Sequence, residues 1–267
     1  AIFVSQSGET ADTLAALRHV AGRVAATVGI VNVMESSIAR EVGTVLATAA
    51  GPEIGVASTK AFTAQLATLG LTAVLAARQR GRIDAAREAD LIAGLLDLPR
   101  LAAEVLTLAP RIERIAQEMS TARDVLYLGR GRMYPLALEG ALKLKEISYI
   151  HAEGYASGEL KHGPIALIDE DVPVVVIDPC DALFHKTVSN MQEVMARGAR
   201  VLLVTDQAGA EQAAPGTWQV LTLPDCTPEA APILYALPVQ LLAYYAALAK
   251  GTDVDQPRNL AKSVTVE

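Results

Sequence analysis

Short apolar runs rich in Val and Ile alternate along this chain with longer stretches in which apolar residues return every three to four positions. The short runs, at 1–4, 28–33, 45–49, 125–128, 172–177, 201–205 and 219–223, predict strands. The longer ones, at 11–25, 58–78, 85–119, 136–150, 187–196 and 229–249, predict helices. Strands alternating with helices imply right-handed crossovers, hence an α/β fold of parallel sheets covered on both faces. The stretch 81–121 keeps helical spacing, carries many charges and is broken only by Pro99 and Pro110, so it predicts a helical connector.

The pattern repeats. Strands beginning near 1, 28 and 45 recur near 172, 201 and 219, and an Ala/Leu-rich helix follows each set. This gives a first module at 1–80, the connector at 81–121, a second module at 122–250 and a tail at 251–267. The second set is preceded by a further strand, a Gly129-Arg130-Gly131 turn and a helix, which the first set lacks. The chain opens Ala1-Ile2-Phe3-Val4, as a strand entered midway, and the repeat implies that about 50 residues of the first module are missing.

Composition narrows the function classes. A 51% hydrophobic content with only 4% aromatics calls for cores of Ala, Leu and Val. The formal charge of -7 argues against a nucleic-acid partner, which needs a basic face. Cys180 and Cys226 are too few for a disulfide framework or a four-ligand zinc site. Charge, Pro or Gly interrupts the apolar stretches before about 18 residues, so no membrane span is expected. No signal-peptide pattern is seen, and the expected location is cytoplasmic.

Candidate chemistry lies in four segments. Ser5-Gln6-Ser7-Gly8-Glu9-Thr10 joins the first strand to a helix. Backbone N–H groups, the positive end of a helix dipole and three hydroxyls suit a phosphate, although Ser7 or Thr10 as a plain helix cap fits the same residues. Glu139, Lys143 and Glu146 share one helical face, either as a solvated ion-pair ladder or as carboxylates aimed at a site. His162, in Lys161-His162-Gly163, is exposed on a glycine-lined loop, where a histidine is often incidental. The tail holds Arg258 and Lys262 among Val, Leu and Pro, a composition unlike that of a frayed terminus.

Five segments together resemble one family. They are Ser5 to Thr13, Gly55 to Thr63, Leu144 to Glu153, Gly158 to Pro164 and Asp255 to Glu267. In order and over the whole chain, they are similar to the sugar-isomerase (SIS) half of the isomerising glutamine–fructose-6-phosphate aminotransferases, the glucosamine-6-phosphate synthases. The resemblance implies two SIS modules with flavodoxin-like parallel sheets, the first incomplete. It also implies binding of fructose 6-phosphate and its product glucosamine 6-phosphate, with the phosphate at Ser5, Gln6, Ser7 and Thr10. Val56, Ser58, Arg258 and Ala261 match positions close to the sugar or its tail. Glu146 matches the base that moves a proton between C1 and C2, with Lys143 beside it. Lys262 matches the lysine that forms a Schiff base with the open-chain ketose. His162 matches the ring-opening histidine, which this family donates across a homodimer. The family's glutaminase domain, with its amino-terminal cysteine nucleophile, would lie upstream, and neither Cys180 nor Cys226 can replace it.

The residue types suit that chemistry without a metal or organic cofactor. An imidazole titrates near neutrality and can shuttle a ring-opening proton. A lysine must be desolvated or placed beside another cation, such as Arg258, before it becomes a nucleophile. Two other readings use the same phosphate turn: a non-catalytic phosphosugar sensor, and a phosphosugar isomerase or deaminase working without an amidotransferase.

Overall fold

The computed structural model describes residues 1–212 and 216–262. The chain divides into two compact units, one of residues 1–92 with 255–267 and one of residues 93–254. The helical stretch read as a connector is therefore shared between them, and the tail belongs to the first.

In the first unit, β1 (Ile2–Ser5), β2 (Val28–Val31) and β3 (Thr44–Ala47) form a parallel sheet in that order, with Ser5 opposite Val31 and Val31 opposite Ala47. Phe3 and Val31 pack with Leu17 of α1 (Ala11–Val20) and Ile38 of α2 (Ser37–Glu41). Burying each such side chain contributes about 1.5–3 kcal/mol. Helix α1 stops at Val20, short of the expected end, because Gly22 turns the chain in a left-handed conformation. Helix α3 (Lys60–Gln79) follows β3, and α4 (Ala85–Leu96) contains the division between the units.

The second unit opens with α5 (Leu98–Leu106) and α6 (Ala109–Met119). The single long helix expected over 85–119 is three helices, because Pro99 and Pro110 each sit in the first turn of a new one, where a missing N–H is harmless. Strands β4 (Asp124–Gly129), β5 (His151–Ala156), β6 (Pro173–Ile177), β7 (Arg200–Asp206) and β8 (Gln219–Leu223) form a parallel sheet ordered β5-β4-β6-β7-β8. The set β6-β7-β8 repeats the parallel order of β1-β2-β3, as the sequence periodicity requires. Strand β5 escapes the sequence pattern. His151-Ala152-Glu153-Gly154 is largely polar, and the segment is an edge strand held by backbone pairing to β4.

Alternate strand residues serve opposite faces. Leu126, Leu128, Val174, Val176, Val201 and Leu203 pack against α8 (Phe184–Met195) through Met191 and Val194. On the other face lies α7 (Tyr134–Ser148), itself packed on α11 (Ala236–Lys250). Gly140 of α7 permits this approach, since a Cβ there would come 2.7 Å from the Tyr127 ring. The short helices α9 (Gln207–Gln212) and α10 (Ala231–Leu234) complete the unit. Two stretches, Lys60–Gln79 and Ala231–Lys250, are long and apolar enough by composition to cross a membrane. The second is more than half buried, so there the apolarity serves the unit's own core.

Candidate active site

The phosphate-type turn lies entirely in the first unit. Ser5 closes β1 with its side chain buried, and its Oγ accepts from the Gly8 N–H at 3.0 Å and lies 2.9 Å from Thr10 Oγ1. Ser7 Oγ accepts from the Glu9 N–H at 3.1 Å, and the Gln6 carbonyl accepts from the Asn32 N–H. Gly8 has φ +67°, and a Cβ there would lie 1.9 Å from Ser36 Oγ, so the turn accepts no side chain at that position. Thr10 occupies the N-cap position of α1, yet its hydroxyl makes no capping bond and faces Ser5 instead. A plain cap therefore does not account for these hydroxyls. Glu9 turns aside to accept from the Ser37 N–H at 2.7 Å. That bond, first among its causes, holds the Glu9 carboxyl below the usual carboxylate range.

The loop after β3 and the tail meet in the same unit. The Val56 N–H donates to the Asp255 carbonyl at 2.9 Å, and Lys262 Nζ donates to the Gly55 carbonyl at 2.5 Å. Ser58 Oγ donates to Glu53 Oε2 at 3.2 Å, and Lys262 Nζ stands 3.5 Å from the same oxygen. Arg258 and Ala261 are exposed, while Pro257 is buried. Residues 263–267, the end of the tail motif, lie outside the described residues.

The second unit holds the acid–base candidates. Lys143 on α7 is only 4% exposed, with Nζ 2.5 Å from Glu146 Oε2 and 3.7 Å from Glu139 Oε1. The solvated-ladder alternative therefore fails, because the packing of α7 puts the lysine inside the unit. Burial pushes the Glu139 carboxyl up to about 7, with Lys143 opposing and Glu146 adding to the rise. His162 ends a 3-10 turn over Ser157–His162, stays exposed, and its Nδ1 lies 2.7 Å from Glu159 Oε2. The turn is anchored by Leu160 in the core and by a Lys161–Glu193 ion pair at 2.9 Å. Thus Ser5, Gln6, Ser7, Thr10, Val56, Ser58, Arg258, Ala261 and Lys262 belong to the first unit, and Lys143, Glu146 and His162 to the second.

Two features were not read from the sequence. Glu53 is the buried acceptor at the start of α3, an acid placed a few residues ahead of a Ser-Thr helix start, which is its one sequence signal. Asp178, directly after β6, is 3% exposed with Oδ2 lacking a partner. Burial pushes it up to about 8, the Asp181 and Asp206 carboxylates adding to the rise while Thr187 and Arg130 oppose it. Beyond it lies a cavity of about 270 Å³ lined by Cys180, Asp181, Asp206, Asp225 and Tyr235. Among the described residues, no cluster of His, Cys, Asp and Glu could hold a metal ion.

The SIS domain model matches residues 1–75 and 118–250, and so takes in the phosphate-type turn, the Glu139–Lys143–Glu146 face and the His162 turn. The chain belongs to the SIS-domain family. The SIS match omits 76–117, where α4, α5 and most of α6 lie. Over its full length the chain is 62% identical to the isomerising glutamine–fructose-6-phosphate aminotransferase of Bradyrhizobium diazoefficiens, covering 44% of that protein. It is 60% identical to the enzyme of the same name from Brucella abortus, again covering 44%. The chain thus spans less than half the length of these relatives. The C-terminal domain of glucosamine-fructose-6-phosphate aminotransferase from Francisella tularensis is 46% identical, with a TM-score of 0.94 over 96% of this chain and 73% of that one.

Proposed function

We propose that this chain is the sugar-isomerase part of a glutamine–fructose-6-phosphate aminotransferase, converting fructose 6-phosphate and glutamine-derived ammonia to glucosamine 6-phosphate. Ser5, Gln6, Ser7 and Thr10 hold the phosphate, using the N–H groups and dipole of the α1 N-terminus. Val56, Ser58, Ala261 and Arg258 line the sugar. His162 relays the proton that opens the ring. The Lys262 amine adds to C2 of the open ketose and loses water to give an imine, from which ammonia displaces the lysine. Glu146 then takes a proton from C1, and the enolamine is reprotonated at C2 to give the aldose amine. Lys143, held between two carboxylates, fixes the Glu146 carboxylate beside that path.

The observation that carries this reading is the buried Lys143 paired at 2.5 Å with a Glu146 that still reaches the surface. A phosphosugar sensor needs the turn at 5–10 but has no use for a buried lysine holding a carboxylate at the unit's surface. The reading extends to a homodimer sharing His162, a glutaminase domain upstream and a cytoplasmic location, supported by the likeness of this whole chain to 44% of each relative.

Glu146→Gln in the full-length protein tests it. The variant keeps shape and hydrogen-bonding reach but removes the base, so solvent deuterium exchange at C1 of fructose 6-phosphate should fall by about 10²–10⁴-fold. Borohydride trapping at Lys262 should persist, because imine formation does not use this base. Near wild-type exchange would leave Glu146 as a structural ion-pair partner and sink the assignment.

A further inference from the structure

Glu53 has more partners than a loop acid needs. Its side chain is 4% exposed. One oxygen, Oε1, accepts from the backbone N–H groups of Thr59 and Ala61 at 2.9 and 3.2 Å and from the Thr59 hydroxyl at 3.3 Å. The other, Oε2, faces Ser58 Oγ and Lys262 Nζ. Burial alone would raise this carboxyl. The two N–H groups, the lysine and the serine outweigh it and hold Glu53 below the usual carboxylate range. A carboxylate so satisfied is a poor proton acceptor. It can hold a cation, but it cannot serve as the base that frees one.

We propose that Glu53 is a positioning residue for Lys262: one carboxylate seats the first turn of α3 and parks the tail lysine against the 53–58 loop. The inference rests on the reading of Lys262 as the nucleophile. The two oxygens divide the work, Oε1 serving the helix start and Oε2 the lysine and Ser58. The Gly55 carbonyl, 2.5 Å from Nζ, completes the parking site. Held by Glu53 Oε2 and the Gly55 carbonyl, the amine must leave both before it can attack a ketose. Residue 53 thereby sets how readily the lysine becomes a nucleophile, without touching the reacting carbon.

The test needs no substrate. Trace acetic anhydride acylates neutral amines, and mass spectrometry of this chain compares Lys262 with the exposed Lys145 and Lys250. Glu53→Gln keeps a carbonyl for the Thr59 and Ala61 N–H groups while removing the charge. Without that charge the amine loses its ion-pair partner and is released from the loop. Lys262 labelling should therefore rise severalfold relative to the two reference lysines. If the variant unfolds, wild-type protein carries the test: raising salt from about 20 mM to 1 M screens a partly exposed pair and should increase Lys262 labelling two- to threefold. Unchanged Lys262 labelling in the folded variant, or no salt response in wild type, overturns the inference. In the full-length protein with fructose 6-phosphate, borohydride trapping at Lys262 should be faster in the Gln variant while its affinity for fructose 6-phosphate stays that of wild type. A wild-type adduct that forms no faster in the variant defeats the positioning role alone. No wild-type adduct at all defeats the nucleophile reading and this inference with it.

Discussion

Asp178→Asn should stabilise the second unit, and the gain should grow with pH. In the folded chain Asp178 is 3% exposed with one oxygen unpartnered, and its carboxyl lies up at about 8 against an ordinary 3.8. Between those values the folded state keeps the proton that the unfolded state has released. Stability of the wild type therefore falls as pH rises through this window, at about 1.4 kcal/mol per pH unit. It is unaffected well below 3.8 and carries the full penalty above about 8. Asparagine matches the shape of the neutral carboxyl and never ionises. The stability difference between variant and wild type should thus grow by about 2.7 kcal/mol from pH 5 to pH 7, as an upper value before water penetration softens it. Other titrating groups, Glu139 included, are common to both proteins and cancel. The assay is urea unfolding at several pH values, followed by the fluorescence of Trp218. This is the one tryptophan in the chain, it lies in the second unit, and its ring is under the Arg200 guanidinium. A difference that stays flat from pH 5 to 7, or an Asn variant that loses ground as pH rises, would refute the argument that Asp178 is folded in its neutral form.

Gly8→Ala should lower thermal stability by about 1–3 kcal/mol and weaken fructose 6-phosphate binding in calorimetry, because the new Cβ collides with Ser36 and the residue is forced to positive φ. Unchanged affinity would show that the 5–10 turn is not the anion site. In the full-length protein, mixing a His162→Ala chain with a Lys262→Ala chain should restore part of the activity that each homodimer lacks, and absence of any recovery would refute a site shared across subunits.

Legibility in the sequence followed burial. Strands buried on both faces, such as β6 and β7, are unbroken Val and Leu runs and are readable as such. Strand β5 is an edge with only partial burial, so its residues carry little of the periodic signal. The turn at 5–10 is legible because strand, hydroxyls, glycine and helix follow one another directly. Even so, the direction of the Thr10 hydroxyl depends on where Ser5 sits, which spacing does not encode. The spacing of Glu139, Lys143 and Glu146 places them on one face, but whether that face meets water is decided by the packing around α7. Glu53 stayed hidden because its partners, Thr59, Ala61 and Lys262, reach it only once the loop folds back and the tail docks. Lys262 itself is an ordinary lysine by composition, and only the family resemblance singles it out.

The duplicated frame carries different side chains after its two equivalent strands. The first residues past β1 are Gln6-Ser7-Gly8-Glu9-Thr10, and those past β6 are Asp178-Pro179-Cys180-Asp181-Ala182. The first run offers hydroxyls and backbone N–H groups. The second replaces the serine with a proline that has no N–H, lacks hydroxyls and adds an acid at its first position. The Cys180 N–H donates to Asp206 Oδ2 at 2.7 Å where the corresponding Gly8 N–H donates to the Ser5 hydroxyl, so an acid stands where the first turn has a neutral group. Asp181, Asp206 and Asp225 line the cavity beyond against one cation, Arg132, so a phosphate entering it would meet a net charge of its own sign. Both turns follow the same strand position in the same parallel order, so the difference lies in side chains and not in topology. This chain keeps hydroxyl donors after β1 and acids after β6, and the second unit also brings Lys143 and Glu146 together on α7.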